Sequence, residues 1–254
     1  MSLKGVILAA GKGTRMKELT REVPKPLLEI AGRPVLEHIL TGLRDAGVTE
    51  ICIIVGYRGD AIREHFGDGS RLGMRLAYVE QVVQDGTGKA PEVAKEFVGG
   101  DSFVLSYGDI LVTPENYRRM TGLFAQEKPD ALQTVKRGED VTKGAVVCFD
   151  RDFFMTDLIE KPTPAQIETL IHAGKLQPGA PAWYNAGIYI FTPQVFEFTA
   201  RLQKSVRGEY ELTDALIAMG RAGLRIRGCE LIGRWADVRD PGVLAELRQT
   251  LTTS

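Results

Sequence analysis

The chain has 254 residues, 44% of them hydrophobic and 26% charged, with 32 Lys+Arg against 33 Asp+Glu and a formal charge of −1. That length suffices for a sizeable buried core, and the even balance excludes a global basic field for nucleic acid or an acidic membrane surface while leaving room for a small anion held by local cations. No apolar run approaches the roughly 20 residues of a membrane span, "GVILAA" is too short for a signal peptide, and Cys52, Cys148 and Cys229 stand apart without metal or redox spacing; a cytoplasmic location is expected.

In chain order, "GVILAA" reads as a buried strand. After a polar glycine loop, "PVLEHILTGLRDAG" sets Val35, Leu36, Ile39, Leu40, Leu43 and Ala46 on one helical stripe closed by Gly47. "EICIIVG" (strand), "DAIREHFG" (helix), "MRLAYVEQ" (strand), "APEVAKEFVGG" (helix) and "SFVLSYGD" (strand) follow. This alternation predicts an α/β, Rossmann-like, mixed but mostly parallel sheet flanked by helices, with ligands at the carboxyl ends of the strands. Beyond residue 130, "DALQTVKR", "GAVVCFD", "FFMTDLIEKP" and "PAWYNAGIYIF" are closely spaced strand-like runs, which predict an antiparallel elaboration. "KPTPAQIETLIHAGKLQPGAPAW" is proline-rich enough to be expected as a mobile loop. "ELTDALIAMGRAG" and "PGVLAELRQTL" read as helices, Glu211 being the polar cap of the first. No repeat or linker divides the chain, so one domain over 1–254 is expected, with a nucleotide-binding half at 1–130 and a sugar-phosphate-binding half at 131–254.

The opening loop, "LAAGKGTRMKELTREVPKP", can bring backbone amides close to a phosphate. It lacks the third glycine of a dinucleotide fingerprint, since Met16 stands there, and it lacks the Gly-Lys-Ser/Thr ending of a P-loop. Further on, Asp109 ends the apolar run "SFVLSYGD", where a carboxylate has no comfortable structural role and where the cleft of such a fold lies. A glutamine followed by a Gly-Thr-Gly turn, in "VEQVVQDGTGKA", can hydrogen-bond the edge of a base.

"LAAGKGTRMKELTREVPKPLLEIAGRPVLEHIL" closely resembles the signature of the sugar-1-phosphate nucleotidyltransferases, the group of glucose-1-phosphate thymidylyl- and uridylyltransferases, and further matches run to about residue 242. Glu18 departs from it, where many members carry proline, and a changed loop shape is expected. The resemblance implies a triphosphate grip on Gly11, Gly13, Thr14 and Arg15, with Ala9, Ala10 and Thr87 also at the nucleotide, and Lys25 near the α-phosphate. It implies base reading by Gln81 and Gly86. It implies Mg2+ held by Asp109 and by Asp237 of "GRWADVRDP", although Arg239-Asp240 replaces the commoner Gly-Thr after that aspartate. On the sugar side it implies Gly144, with Glu160 and Asn185 receiving hydroxyls and Lys161 holding the sugar phosphate. Tyr184 and Trp183 are expected to pack, and His38, His65 and His172 share no ligand spacing.

The reaction so implied joins a nucleoside triphosphate, UTP or dTTP favoured, to a sugar 1-phosphate, glucose 1-phosphate by default, with release of pyrophosphate. Two anions must meet in line, so cations and a metal rather than a nucleophilic side chain are required. One alternative is a cytidylyltransferase using CTP and a sugar or alcohol phosphate; "YNAGIYIF" and "ELTD" favour a sugar. Another is a non-catalytic nucleotide-sugar-sensing regulatory module, against which Arg15, Lys25 and Asp109 are all retained. The expected partners are the two small substrates, with no nucleic acid and no membrane; a homo-oligomer is left open. The long carboxyl-terminal repeat of bifunctional relatives is not seen, so a single activity is expected.

Overall fold

The computed structural model describes residues 3–16 and 18–252. The first half runs β1 (Leu3–Ala9), α1 (Leu19–Glu22), β2 (Glu29–Ile30), β3 (Arg33–Pro34), α2 (Val35–Asp45), β4 (Glu50–Val55), α3 (Gly59–Phe66), β5 (Arg75–Glu80), α4 (Lys95–Val98), β6 (Ser102–Tyr107), β7 (Ile110–Val112) and α5 (Glu115–Glu127). The second runs β8 (Ala131–Arg137), β9 (Ala145–Phe149), β10 (Met155–Glu160), α6 (Pro164–His172), β11 (Trp183–Phe191), α7 (Val195–Thr199), α8 (Leu212–Arg221), β12 (Ile226–Glu230), β13 (Trp235–Asp237) and α9 (Pro241–Thr252).

A nine-stranded sheet joins the two halves, in the order β10-β9-β11-β6-β1-β4-β5, with β8 beside β11 and β12 beside β8. β6, β1, β4 and β5 are mutually parallel, whereas β11 is antiparallel to β6, β8 and β9. Both faces of the sheet are covered, which explains the unbroken apolar runs in β1 and β4. Ile7 and Ile53 pack with Leu36 and Leu40 of α2, Met120 of α5 and Leu244 of α9. Val6 and Cys52 pack on the opposite face with Val98 of α4, Phe196 of α7 and Leu216 of α8. All three cysteines are free and buried.

β11 changes neighbours along its length. Trp183 and Tyr184 pair with Val147 and Val146 of β9, and Ile188–Phe191 pair with Ser106–Phe103 of β6. Between them lies an irregularity at Asn185–Tyr189, where Gly187 takes a φ of +78° and any Cβ would fall 2.3 Å from Ile110 Cδ1, so glycine is required. The carboxyl end of β6 therefore faces the amino end of β9 along one edge of β11, and the sheet opens between them.

The proline-rich stretch expected as a mobile loop is in part a helix, α6. Thr163 and Gln166 close a capping box at its start, with Thr163 N donating to Gln166 Oε1 at 2.9 Å. α5 escapes a periodicity reading because only Asn116, Tyr117 and Met120 on it are buried.

Candidate active site

β1 delivers the chain through Ala10 and Gly11 to Gly13, which takes a φ of +62°, and then into a short turn, Thr14–Met16, pinned by buried Met16. A Cβ on Gly13 would lie 3.3 Å from Lys25 Cβ, so the loop packs closely on Lys25. Pro24 and Pro26 restrict the backbone on both sides of Lys25, and its ammonium, on a side chain 12% exposed, pairs with the Asp109 carboxylate.

Asp109 follows Gly108, whose N–H donates to Leu8 O at 2.9 Å and fixes the end of β6 against β1. β13 then lies antiparallel to β7 with Asp237 opposite Ile110, and Val238 N donates to Asp109 O at 2.9 Å. The Trp235 indole secures this arm by donating to Ala186 O at 2.9 Å, in the irregular part of β11. Burial, followed by the charge of Asp109, pushes the Asp237 carboxyl up to about 6, with Lys25, Arg239 and Arg15 opposing the rise.

A carboxyl raised in the folded state withholds stability as pH climbs from its unfolded value toward its folded one. Asp237→Asn is therefore expected to raise the thermal midpoint of metal-free protein at pH 7.5, through a stability gain on the order of 1–3 kcal/mol. The gain should shrink as pH falls from about 6 toward the ordinary carboxyl value of 3.8, where the native carboxyl holds its proton. An equal gain at pH 4 and pH 7.5 would show that this charge is not its source.

These groups open onto a cleft of about 510 Å3 at the break in the sheet. Ala9, Ala10, Gly11, Gly13 and Lys25 line it from the opening loop, and Gln81, Gly86 and Thr87 from the segment after β5. Asp109, Asp237, Gly144, Glu160 and Asn185 line it as well. Thr14, Arg15 and Lys161 stand outside this lining: Thr14 and Arg15 are exposed in their turn, and Lys161 is exposed with a φ of +45°, its N–H donating to Gly144 O at 2.5 Å. Gly144 is where a Cβ would strike the Tyr184 hydroxyl at 2.3 Å. The Asn185 amide is held in place: Nδ2 donates to the Tyr189 hydroxyl at 2.7 Å, and Oδ1 accepts from Gln133 Nε2 at 3.1 Å. Burial pushes the Glu160 carboxyl up, against the charge of Arg207.

Residues that the sequence reading did not assign to the site also line the cleft. Gln84 Nε2 donates to Ala10 O at 2.9 Å, tying the segment after β5 to the opening loop. Trp235, Glu209, Glu211 and Thr213 line it as well. Glu211 occupies the cap position of α8 but its side chain makes no capping bond; it turns instead to Ser205 and Arg207. The charge density of "RGEYELTD" was the available signal for it. Trp183 packs with Phe149 and Phe153 under Arg137. Among the described residues, no group of three or more His, Cys, Asp or Glu side chains is placed to hold a metal. Asp109 and Asp237 both line the cleft, near enough for the charge of one to raise the other, and two carboxylates of this kind fit a divalent ion that takes its remaining ligands from water or substrate.

The model of the nucleotidyl transferase family matches residues 4–254. The chain belongs to that family. Among curated family relatives, it is 32% identical to the low-salt glycan biosynthesis nucleotidyltransferase Agl11 of Haloferax volcanii, over 97% of this chain and 65% of that one. It is 33% identical to the bifunctional protein GlmU of Methanococcus maripaludis, over 94% and 52%, and 29% identical to the glucose-1-phosphate thymidylyltransferase of Streptomyces griseus, over 92% and 62%. The chain thus spans between about half and two thirds of the length of these relatives. A Bacillus anthracis structure assigned as a glucose-1-phosphate thymidylyltransferase, in complex with sucrose, superposes with a TM-score of 0.84 at 26% identity, covering 99% of this chain and 96% of that one. A UDP-glucose pyrophosphorylase complexed with UDP-glucose shares the fold, with a TM-score of 0.84 at 22% identity over 100% and 99%. Among the described residues, no helix is long and apolar enough to cross a membrane.

Proposed function

We propose that this family member transfers a nucleotidyl group from UTP or dTTP to a sugar 1-phosphate, releasing pyrophosphate and an NDP-sugar. The observation that carries this reading is the convergence of Lys25, Asp109 and Asp237 in one cleft that Gln81, Glu160 and Asn185 also line. The two halves of the chain act as one unit, 1–130 gripping the nucleotide and 131–254 the sugar phosphate.

The amides of Gly11 and Gly13 lie against the triphosphate, with Thr14 and Arg15 closing over it from outside the cleft. Gln81 and the backbone at Gly86 read a pyrimidine. Lys25 balances charge at the α-phosphate, where an oxygen of the sugar phosphate attacks in line and pyrophosphate leaves from the opposite side. Glu160 accepts hydrogen bonds from sugar hydroxyls, Asn185 contacts the same ring, and Lys161 steadies its phosphate. A Mg2+ ion held by Asp109 and Asp237, when bound, supplies neutralisation of the crowded phosphate oxygens.

The test is pyrophosphate release in magnesium, crossing UTP, dTTP, CTP, GTP and ATP with the 1-phosphates of glucose, galactose, mannose and N-acetylglucosamine, and with choline phosphate. Turnover requiring one sugar 1-phosphate and one pyrimidine triphosphate is expected. Turnover of CTP with choline phosphate alone would replace the sugar by an alcohol, and no turnover from folded protein would remove the catalytic reading.

A further inference from the structure

The segment after β5 brings Gln81 and Gly86 to the cleft, with exposed Val82 and Val83 between them. Gln81 N donates to Val55 O at 2.8 Å, which holds the start of the segment to the end of β4. The Gln84 amide then reaches away from its own segment and donates to Ala10 O at 2.9 Å. Tyr57 N donates to the same oxygen at 3.1 Å. A Cβ on Gly56 would fall 2.7 Å from Ala10 O and 2.7 Å from Gln84 Nε2, so glycine there leaves the space that the Gln84 amide fills.

These bonds fix the peptide group between Ala10 and Gly11. In a planar trans peptide the C=O and the following N–H point in opposite directions, so the donors on Ala10 O also set the direction of the Gly11 N–H. Side-chain packing does not set it, since nothing lies within 4 Å of a Cβ on Gly11, and glycine permits the rotation by which a peptide turns over. Turned over, this peptide would show a carbonyl oxygen in place of an N–H to whatever the loop holds. An anion is bound by the N–H and repelled by the oxygen.

We propose that Gln84 is a positioning residue that holds the Ala10–Gly11 peptide with its N–H, rather than its oxygen, offered to the triphosphate. This rests on the reading of the opening loop as the triphosphate grip, and deepens it. The side chain that orients the grip stands on the segment that carries Gln81 and Gly86, so the seating of a base and the readiness of the phosphate site depend on one amide.

Gln84→Met keeps the length of the side chain and removes the donor. With the substrate pair that the wild-type protein uses best, KM for the triphosphate is expected to rise about tenfold, the magnitude of one lost hydrogen bond, with KM for the sugar 1-phosphate and kcat within about twofold. The thermal midpoint stays near that of the wild type, since Tyr57 N still bonds Ala10 O. In the reverse reaction with saturating NDP-sugar, KM for inorganic pyrophosphate rises by the same factor, whereas inhibition by the unphosphorylated nucleoside is unchanged. Gln84→Glu, which at pH 7.5 sets an acceptor against an acceptor, loses more than Gln84→Met. An unchanged KM for pyrophosphate, nucleoside inhibition weakened as much as pyrophosphate binding, a Gln84→Glu variant equal to wild type, or a fallen midpoint with KM raised alike for both substrates would overturn the assignment to Gln84 while leaving the reaction standing. Absence of wild-type turnover in either direction overturns both.

Discussion

On the proposed function, Asp109→Asn is expected to lower magnesium-dependent pyrophosphate release by about a thousandfold or more, while the thermal midpoint stays near that of the wild type. The carboxylate sits at the carboxyl end of β6, it is the partner of Lys25, and its backbone carbonyl holds the arm that carries Asp237. Asparagine keeps the backbone bond and the side-chain volume but removes the charge, so the fold has little to lose: the Asp109 side chain is 30% exposed, and a partly exposed pair of this kind contributes about 1 kcal/mol or less. Under the proposed mechanism catalysis has much more to lose, because the proposed cation site and the Lys25 ion pair both use that charge. Steady-state rates over a magnesium titration separate the two effects. Near-wild-type turnover at saturating magnesium would remove Asp109 from the site, whereas a rate recovered only at high magnesium would make it a metal ligand without a second role.

Gly86→Ala acts through the backbone and is expected to destabilise the protein by roughly 2–4 kcal/mol, measured by urea unfolding. Gly86 has a φ of +127°, and a Cβ there would fall 2.2 Å from Tyr210 O and 2.6 Å from Tyr210 N. Those atoms cannot swing aside as a side-chain tip would, since Tyr210 N donates to Asp85 O and Gly88 N donates to Tyr210 O. Relief of the clash requires the nucleotide-side segment to part from the wall carrying Glu211, so KM should rise for both substrates. Gly11→Ala is the control: nothing lies within 4 Å of its Cβ position, and stability should change little. A loss below about 1 kcal/mol for Gly86→Ala would mean that the two segments separate freely.

The parallel first half was legible because β1, β4 and β6 are largely buried on both faces and its helices carry clear apolar stripes, as at Leu36, Leu40 and Leu43. The second half was legible as closely spaced strands, but its pairing was not, because nothing local in "WYNAGIYIF" announces that one strand serves β9 first and β6 afterwards. Residues whose chemistry is conspicuous at a strand end, such as Asp109, or in a distinctive loop, such as Lys25, were singled out from the sequence, and both line the cleft. Those missed owe their position to long-range contacts: Trp235 through its bond to Ala186, Gln84 through its bond to Ala10, and Glu211 through Arg207. Glu211 was misread for a physical reason, since a glutamate before an apolar helix looks like a cap until a nearby arginine draws it away.

The break in the sheet along β11 also bears on how the protein acquires its site. The side of the cleft that carries Gly144 and Glu160 is joined to the first half through one late strand, β11, so no local hairpin or early βαβ unit contains the complete cleft. Contacts between segments so distant in sequence form slowly, and a nascent chain that has folded only β1 to β6 has a nucleotide-facing surface with no opposing rim. Recovery of substrate binding during refolding should therefore lag behind recovery of helix signal, and ligand affinity would serve as a reporter for the last long-range pairing to close.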